Sequence, residues 1–564
     1  MLQKDLLVED RICPWLSLYD VGETLTMTVV TDRIDNPVVR GVRWRPLLFW
    51  GMVLLLLVVA VIMRLYRLDA PFDRDGYDEG VYWQSLRAMQ AGGSLYHTIF
   101  YSQPPAFLLT TFPLYVLFGG TLWSARFAIA LISLLAFPGA YLLGKSLAGR
   151  AGALTALLLL VINPFFLAES QIIQAEAPSV AFTFLALGFA FQWWRQPEGR
   201  RGACWAALAG AALVVSILSK LLCISTLVPL VLLLLARIWQ IWRRWPGTGR
   251  QSWLPILAGI GGALLAALAL LLPFVGSFQD FWQGVITFHQ AAGKAMPGTT
   301  ADNLYQMLPA LLSPLALIAV YGTIAAFLRK DWRVLPLLAW LLVTLALLAT
   351  FHPLFGHHLI VLEPPLITLA LLGVAGRTSY KMIASGLSRP GFVTEKAMPW
   401  IVRVAALLVL FTSLLGCWQD IQYYRATNAT EVSSAVQSPW SGLQPLAFWG
   451  SSGAANPWQG DLRVANDLRH AITREQWVVT DAQFIAGLAD RNTPPALVDT
   501  SRVRISTDYV TLAQLEQVAS DPRVHAVLFY TDRLYWEPAP FLVWVAQHFH
   551  LLHDYGPGQE LWVR

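Results

Sequence analysis

Apolar runs of bilayer length constrain this chain more than any other feature: Pro46–Tyr66, Ala151–Ala168, Leu221–Ala236, Leu254–Val275 and Val334–Thr350. A helix of about 20 apolar residues spans the hydrocarbon core. The fold class that follows is a polytopic α-helical membrane protein. Composition agrees, with 56% of 564 residues hydrophobic and 13% charged, against roughly 45–50% and about 25% in ordinary soluble domains. So little charge over this length leaves too little polar surface for a water-soluble globule. A soluble enzyme and a disordered scaffold are both excluded.

The chain is basic, at +5 with a pI near 9.0, yet its cations form no single patch of the kind nucleic acid would need. They sit between the apolar runs, at Arg40, Arg43 and Arg45; Lys145 and Arg150; Arg195, Arg200 and Arg201; Arg237, Arg243, Arg244 and Arg250; Arg329, Lys330 and Arg333; and Arg377, Lys381, Arg389 and Lys396. With all of them on the cytoplasmic side, as the positive-inside rule asks, the chain crosses eleven times, at about 46–65, 124–144, 151–169, 178–194, 202–219, 221–237, 254–275, 309–328, 334–351, 358–376 and 399–418. This works only if Pro104–Gly119, which holds Pro104, Pro105 and Pro113, lies at the outer surface. The expected organisation is a cytoplasmic tail (1–45), a membrane domain (46–418) with a large first outer loop (66–123), and an outer C-terminal domain (419–564). The 24 Trp suit a membrane interface. No signal peptide is expected, because the residues before the first apolar run show neither a short apolar core nor a cleavage site.

Beyond residue 419 charge returns and apolar runs shorten. Asp461–Ile472, Thr511–Ala519 and Phe541–Leu552 read as helices, and Trp477–Thr480, Val524–Tyr530 and Glu560–Val563 as strands, which suggests a small α/β domain. It has no Gly-rich phosphate loop and no His/Cys ligand cluster. Asp481, at a strand end, reads as a turn or cap residue, and Asn428–Gly460 as a loose linker. Four cysteines, none beyond Cys417, suggest neither a disulfide framework nor a cysteine metal site.

The chemistry-bearing residues gather in the outer segments. The first outer loop holds Asp73-Arg74-Asp75-Gly76-Tyr77-Asp78-Glu79-Gly80, followed by Tyr82, Leu86 and Met89 on one helical face. Here Asp78 could serve simply as an N-cap, with Glu79 complementing the helix dipole. Gln103-Pro104-Pro105 follows, then Ser124-Ala125-Arg126, Gln174-Ala175-Glu176-Ala177-Pro178, Ser219-Lys220 and the turn His352–His358. Ionisable groups recurring at one membrane level face a cavity more often than lipid. Arg126 and Lys220 could instead snorkel to the interface, and Glu169 reads as interfacial.

The order of these features (Asp-Glu loop, Pro-Pro helix, Ala-Arg span, Asn163-Pro164 turn, acid-x-Pro turn, Lys turn) resembles the GT-C glycosyltransferases. The branch it resembles holds the protein O-mannosyltransferases and the aminoarabinose transferases of lipid A, over roughly residues 46–375. The resemblance implies inverting transfer of a sugar from a polyprenyl-phosphate donor to a hydroxyl of a glycan, lipid or protein acceptor, on the outer face of a prokaryotic plasma membrane. It places the catalytic acids at Asp78, Glu79 and Glu176, with Asp78 as base, and the donor-phosphate contacts at Arg126, Lys220, His357, His358 and Gln103. The chain departs from the pattern at Gln103, where many members have Lys, and at His357-His358, where many have Arg-Tyr. No cofactor is implied with certainty; a divalent cation stays open, and Glu363 is a candidate partner for Lys220. Two other functions compete. A transporter would place charges at the midplane of inverted repeats. A lipid-carrier glycan ligase would want more Arg than 276–308 offers, which is Lys294 alone among cations.

Overall fold

A computed structural model describes residues 44–66, 68–69, 77–243, 250–296, 298–374, 458–536 and 539–564. Most of the tail 1–45, Asp73 and Asp75, the basic cluster beyond Arg377, the span 399–418 and most of the linker lie outside the described residues. The described chain is mostly helical. Six of its helical stretches are long and apolar enough to cross a membrane, or seven if Thr300–Leu311 and Pro314–Leu328, bent by 82°, form one broken span.

The first helix, Trp44–Leu65, is apolar around its circumference, and the described part leaves Leu47, Leu48, Leu54 and Leu55 exposed. Such a surface suits lipid, not water. The stretch Leu122–Val161 holds two expected crossings. Backbone torsions leave the helix at Ala148 and at Gly149, whose φ of +65° suits a residue without a Cβ. The chain doubles back there and packs Gly144 against Gly152. The helix Ala106–Leu117 has only 12 residues, about 18 Å at 1.5 Å per residue, too short to cross, as its prolines predicted.

One expected span, 309–328, is divided. Ser313 caps the helix that begins at Pro314, its side chain accepting from the Ala316 N–H. A proline at the first helical position has no N–H to offer the preceding turn, so the chain bends there and 300–308 is helical rather than loop.

The C-terminal domain contains a four-stranded sheet in the order β1-β2-β4-β3: β1 Trp477–Thr480, β2 Val524–Phe529, β3 His550–Gly556 and β4 Gln559–Val563. β1 and β2 run parallel, and β4 pairs antiparallel with both β2 and β3. The expected helix Phe541–Leu552 ends early, at His548, and β3 follows. Being an edge strand with little buried surface, β3 shows no apolar alternation, and Leu551-Leu552 looked like more helix. Asp481 is the structural residue its position suggested. Its buried carboxylate accepts from the Tyr530, Thr531 and Leu534 backbone N–H groups at 2.9–3.2 Å.

The domain is not suspended clear of the helices. Phe484 and Val498 join a core with Tyr82, Trp83, Leu86, Phe107 and Ile129. At Gly80 the approach is close enough that a Cβ would lie 2.5 Å from the Phe484 backbone nitrogen. Gly80→Ala should therefore lower the thermal unfolding midpoint, because backbone, not a flexible side-chain tip, must give way. An unchanged midpoint would mean that the domain can lift off at no cost.

Candidate active site

The helix Asp78–Gln90 carries both loop acids in its first turn. Tyr77 occupies the N-cap position and makes no side-chain cap, so the capping role open to Asp78 is not taken up. Neighbouring helical residues point about 100° apart, which sends Asp78 and Glu79 to different places.

Glu79 turns inward. Arg126 donates from Nε to Glu79 Oε1 at 2.7 Å and from Nη2 to Oε2 at 2.6 Å, and neither side chain has exposed surface. The Ile173 N–H and the Leu68 carbonyl complete the arrangement, bonding to Glu79 Oε1 and Arg126 Nη1 at 3.3 Å each. With these contacts the forked pair ties four segments together. Arg126, expected at the donor phosphate, and Glu79, expected among the catalytic acids beside the base Asp78, are thus bound to each other. A guanidinium matched to a carboxylate this well has no reason to leave it.

Asp78 faces a different group of charges. Lys220 follows the helix Gly199–Ser219 in extended conformation and brings Nζ to 2.6 Å from Glu176 Oε1. His357 Nε2 stands 3.8 Å from the same oxygen. Both partners of the Lys220–Glu176 pair are almost wholly buried. Burial raises the half-buried Asp78 carboxyl above the usual carboxylate range; His357 and Lys220 oppose the rise, while Asp499 and Glu176 add to it. Glu363, the candidate partner for Lys220, instead accepts from Asn163 in the bundle core. Gln103 is half-buried and bonds through its carbonyl to the Tyr96 hydroxyl at 2.8 Å, within its own loop.

Glu176, His357 and His358 hold ligand atoms within 4.8 Å of one another, a spacing a metal ion could use. Two contacts already engage this group. Lys220 already neutralises Glu176. The His358 Nδ1 accepts from the Phe355 N–H at 3.2 Å, which puts the proton of the neutral ring on Nε2 and makes that atom a donor, not a ligand.

Three buried residues that sequence reasoning did not place here adjoin the cluster. Glu169 lies within electrostatic reach of Glu176, Lys220 and Asp78, and Tyr101 of Glu176. Gln174 is in the same turn as Glu176. The Tyr101 hydroxyl, Glu169 Oε2 and both polar atoms of the Gln174 amide make no hydrogen bond within the described chain. Buried polar atoms are nearly always bonded, so these four suit water or a hydroxyl-rich ligand. Glu169 is thus buried, not interfacial. An acid ending an apolar run was the only signal it carried.

A family model described as dolichyl-phosphate-mannose-protein mannosyltransferase matches residues 51–282. The crystal structure of ArnT from Cupriavidus metallidurans in the apo state superposes with a TM-score of 0.58 at 16% identity, covering 92% of this chain and 97% of that one. The structure of the same protein bound to undecaprenyl phosphate gives 0.55 at 16% identity, over 93% and 98%. No curated protein matches the chain in sequence. The class defined here is a protein with the fold of ArnT, with several helices long and apolar enough to cross a membrane and a small C-terminal sheet domain. The resemblance to the branch of the protein mannosyltransferases and ArnT, drawn from short motifs in the sequence, is met by the matched segment and the fold.

Proposed function

We propose that this protein is an inverting glycosyltransferase that moves a sugar from a polyprenyl-phosphate donor to an acceptor hydroxyl at the outer membrane surface. The observation that carries this reading is the convergence of Asp78, Glu176, Lys220 and His357 from four separate segments. The named substrate of the matched family and the undecaprenyl phosphate bound by the structural relative support a lipid-phosphate donor. The topology proposed with it has a cytoplasmic N-terminus and an outer C-terminal domain, so that the tail of the donor stays in lipid while its head meets water.

In this reading the acceptor oxygen attacks the anomeric carbon as the bond from that carbon to the phosphate oxygen breaks. Asp78 takes the acceptor proton. A hydroxyl is a weak nucleophile, and a base in hydrogen-bond reach supplies what it lacks. The leaving phosphate carries the charge, which Lys220 and the donor N–H of His358 are placed to meet. Glu176 holds Lys220 in position, and His357 stands beside them. A single displacement needs one base and no enzyme nucleophile, so the configuration inverts.

Binding of bare undecaprenyl phosphate tests the phosphate site. Lys220→Gln should weaken it roughly ten- to a hundredfold, the worth of a charge-assisted hydrogen bond. The double variant Lys220→Gln/Glu176→Gln removes both buried charges together, avoids stranding Glu176, and should bind as weakly. Wild-type affinity in the double variant would overturn the assignment.

A further inference from the structure

We propose that the C-terminal α/β domain is a working part of the transfer site: its Asp499, bonded to Tyr77, positions Asp78 and faces it with a second negative charge. The inference rests on the reading of Asp78 as the base.

The geometry begins with helical spacing. Tyr77, Gly80, Gln84 and Arg87 are three or four residues apart and form one face of the helix Asp78–Gln90 and its cap. Every one of them meets the C-terminal domain. The Tyr77 hydroxyl donates to Asp499 Oδ1 at 3.2 Å and accepts from the Thr500 N–H at 2.8 Å, while the Arg533 guanidinium lies 4.0 Å over its ring. Gly80 meets the Phe484 backbone. Gln84 donates to the carbonyls of Gln483 and Arg491 at 3.2 and 3.1 Å. Arg87 donates to Asp490 and Asn492 at 2.9 and 2.8 Å.

With that face held by the domain and Glu79 held by Arg126, the rotation of the helix about its axis is determined, and so is the direction of Asp78. The Asp499 end of the clamp is itself stiff. Asp499 Oδ1 also accepts from the Ser501 N–H at 2.8 Å. The Thr500 hydroxyl donates to the Thr480 carbonyl at 3.0 Å and accepts from Gln483 at 2.8 Å, which anchors the loop to the end of β1. A tethered module that only collected acceptors would not need polar contacts from Tyr77 through Arg87 of a catalytic-loop helix. His357 and Lys220 favour the carboxylate of Asp78, whereas Asp499 and Glu176 disfavour it, as does burial; the Glu169 carboxyl also lies within electrostatic reach.

The test uses the full chain in lipid vesicles with a polyprenyl-phosphate sugar and an acceptor. Asp499→Asn keeps both the shape and the Oδ1 acceptor and removes only the charge. A base must be ionised to work, and loss of a like charge makes ionisation easier. The acid limb of the pH–rate profile should therefore move to lower pH, a change that a merely structural contact would not produce. Tyr77→Phe retains the ring under Arg533 but loses both hydrogen bonds; transfer should fall on the order of tenfold, from a small loss of alignment. Both variants should bind bare undecaprenyl phosphate as the wild type does. An Asp499→Asn profile superimposable on wild type, or wild-type transfer by Tyr77→Phe, would overturn the proposal. Should Asp78→Asn itself transfer normally, the assignment of the base fails instead, and the two failures are told apart.

Discussion

Asp78→Asn should lower sugar transfer by about 10²–10⁴, the usual contribution of a general base, with the unfolding midpoint unchanged. The second half of that expectation comes from the structure. Tyr77, not Asp78, holds the N-cap position, so no cap is lost, and Asn has nearly the same volume. In the wild type the acid limb of the rate profile should lie above the ordinary carboxylate range, since burial raises the proton affinity of Asp78 and Asp499 and Glu176 add to it. Activity requires the ionised form, so it is lost as pH falls through this raised value. Near-normal transfer by the variant would move the base to Glu176 or Glu169; a destabilised but active variant would make Asp78 a structural residue.

The other large effect is on stability. Arg126→Gln should destabilise the protein by about 3–5 kcal/mol, the range found when one partner of a buried pair is removed and the other stays behind. Here the stranded group is Glu79, which has no exposed surface. Detergent-solubilised protein should unfold at a lower temperature, and what remains folded should bind undecaprenyl phosphate normally. Pairing the change with Glu79→Gln should recover much of the loss, since no buried carboxylate is then left without a counter-charge. A variant of normal stability that no longer binds the lipid phosphate would restore Arg126 to the donor site.

These two residues show where a linear reading stops. Asp78 and Glu79 are adjacent, and Arg126 and Lys220 are both cations near the ends of apolar helices, so nothing local separates the roles proposed for them. The separation comes from rotation about helix axes and from which carboxylate lies within reach. Glu79 has Arg126 at 2.6 Å, and Glu176 has Lys220 at 2.6 Å. Gln103, the departure in the Pro-Pro loop, bonds through its carbonyl to the Tyr96 hydroxyl of its own loop.

Bilayer-length apolar runs, prolines too dense for a crossing at 104–119, and the return of charge after 419 are one-dimensional signals. From them alone came the apolar helices of bilayer length, the helix Ala106–Leu117 too short to cross, and the C-terminal sheet domain, because hydrophobic matching to a bilayer is a property of composition over a window. The ordering of acidic and basic turns was also legible, and it located Asp78, Glu176, Lys220 and His357 without showing that they meet. Tertiary structure decided the rest. Asp499 lies over four hundred positions from Asp78, and no periodicity or charge pattern links them; only the docking of Tyr77, Gly80, Gln84 and Arg87 on the C-terminal domain brings that carboxylate to the site. Sequence patterning reports which surfaces avoid water, whereas the proton affinity of a buried acid depends on charges a few ångströms away, and those are set by packing in three dimensions.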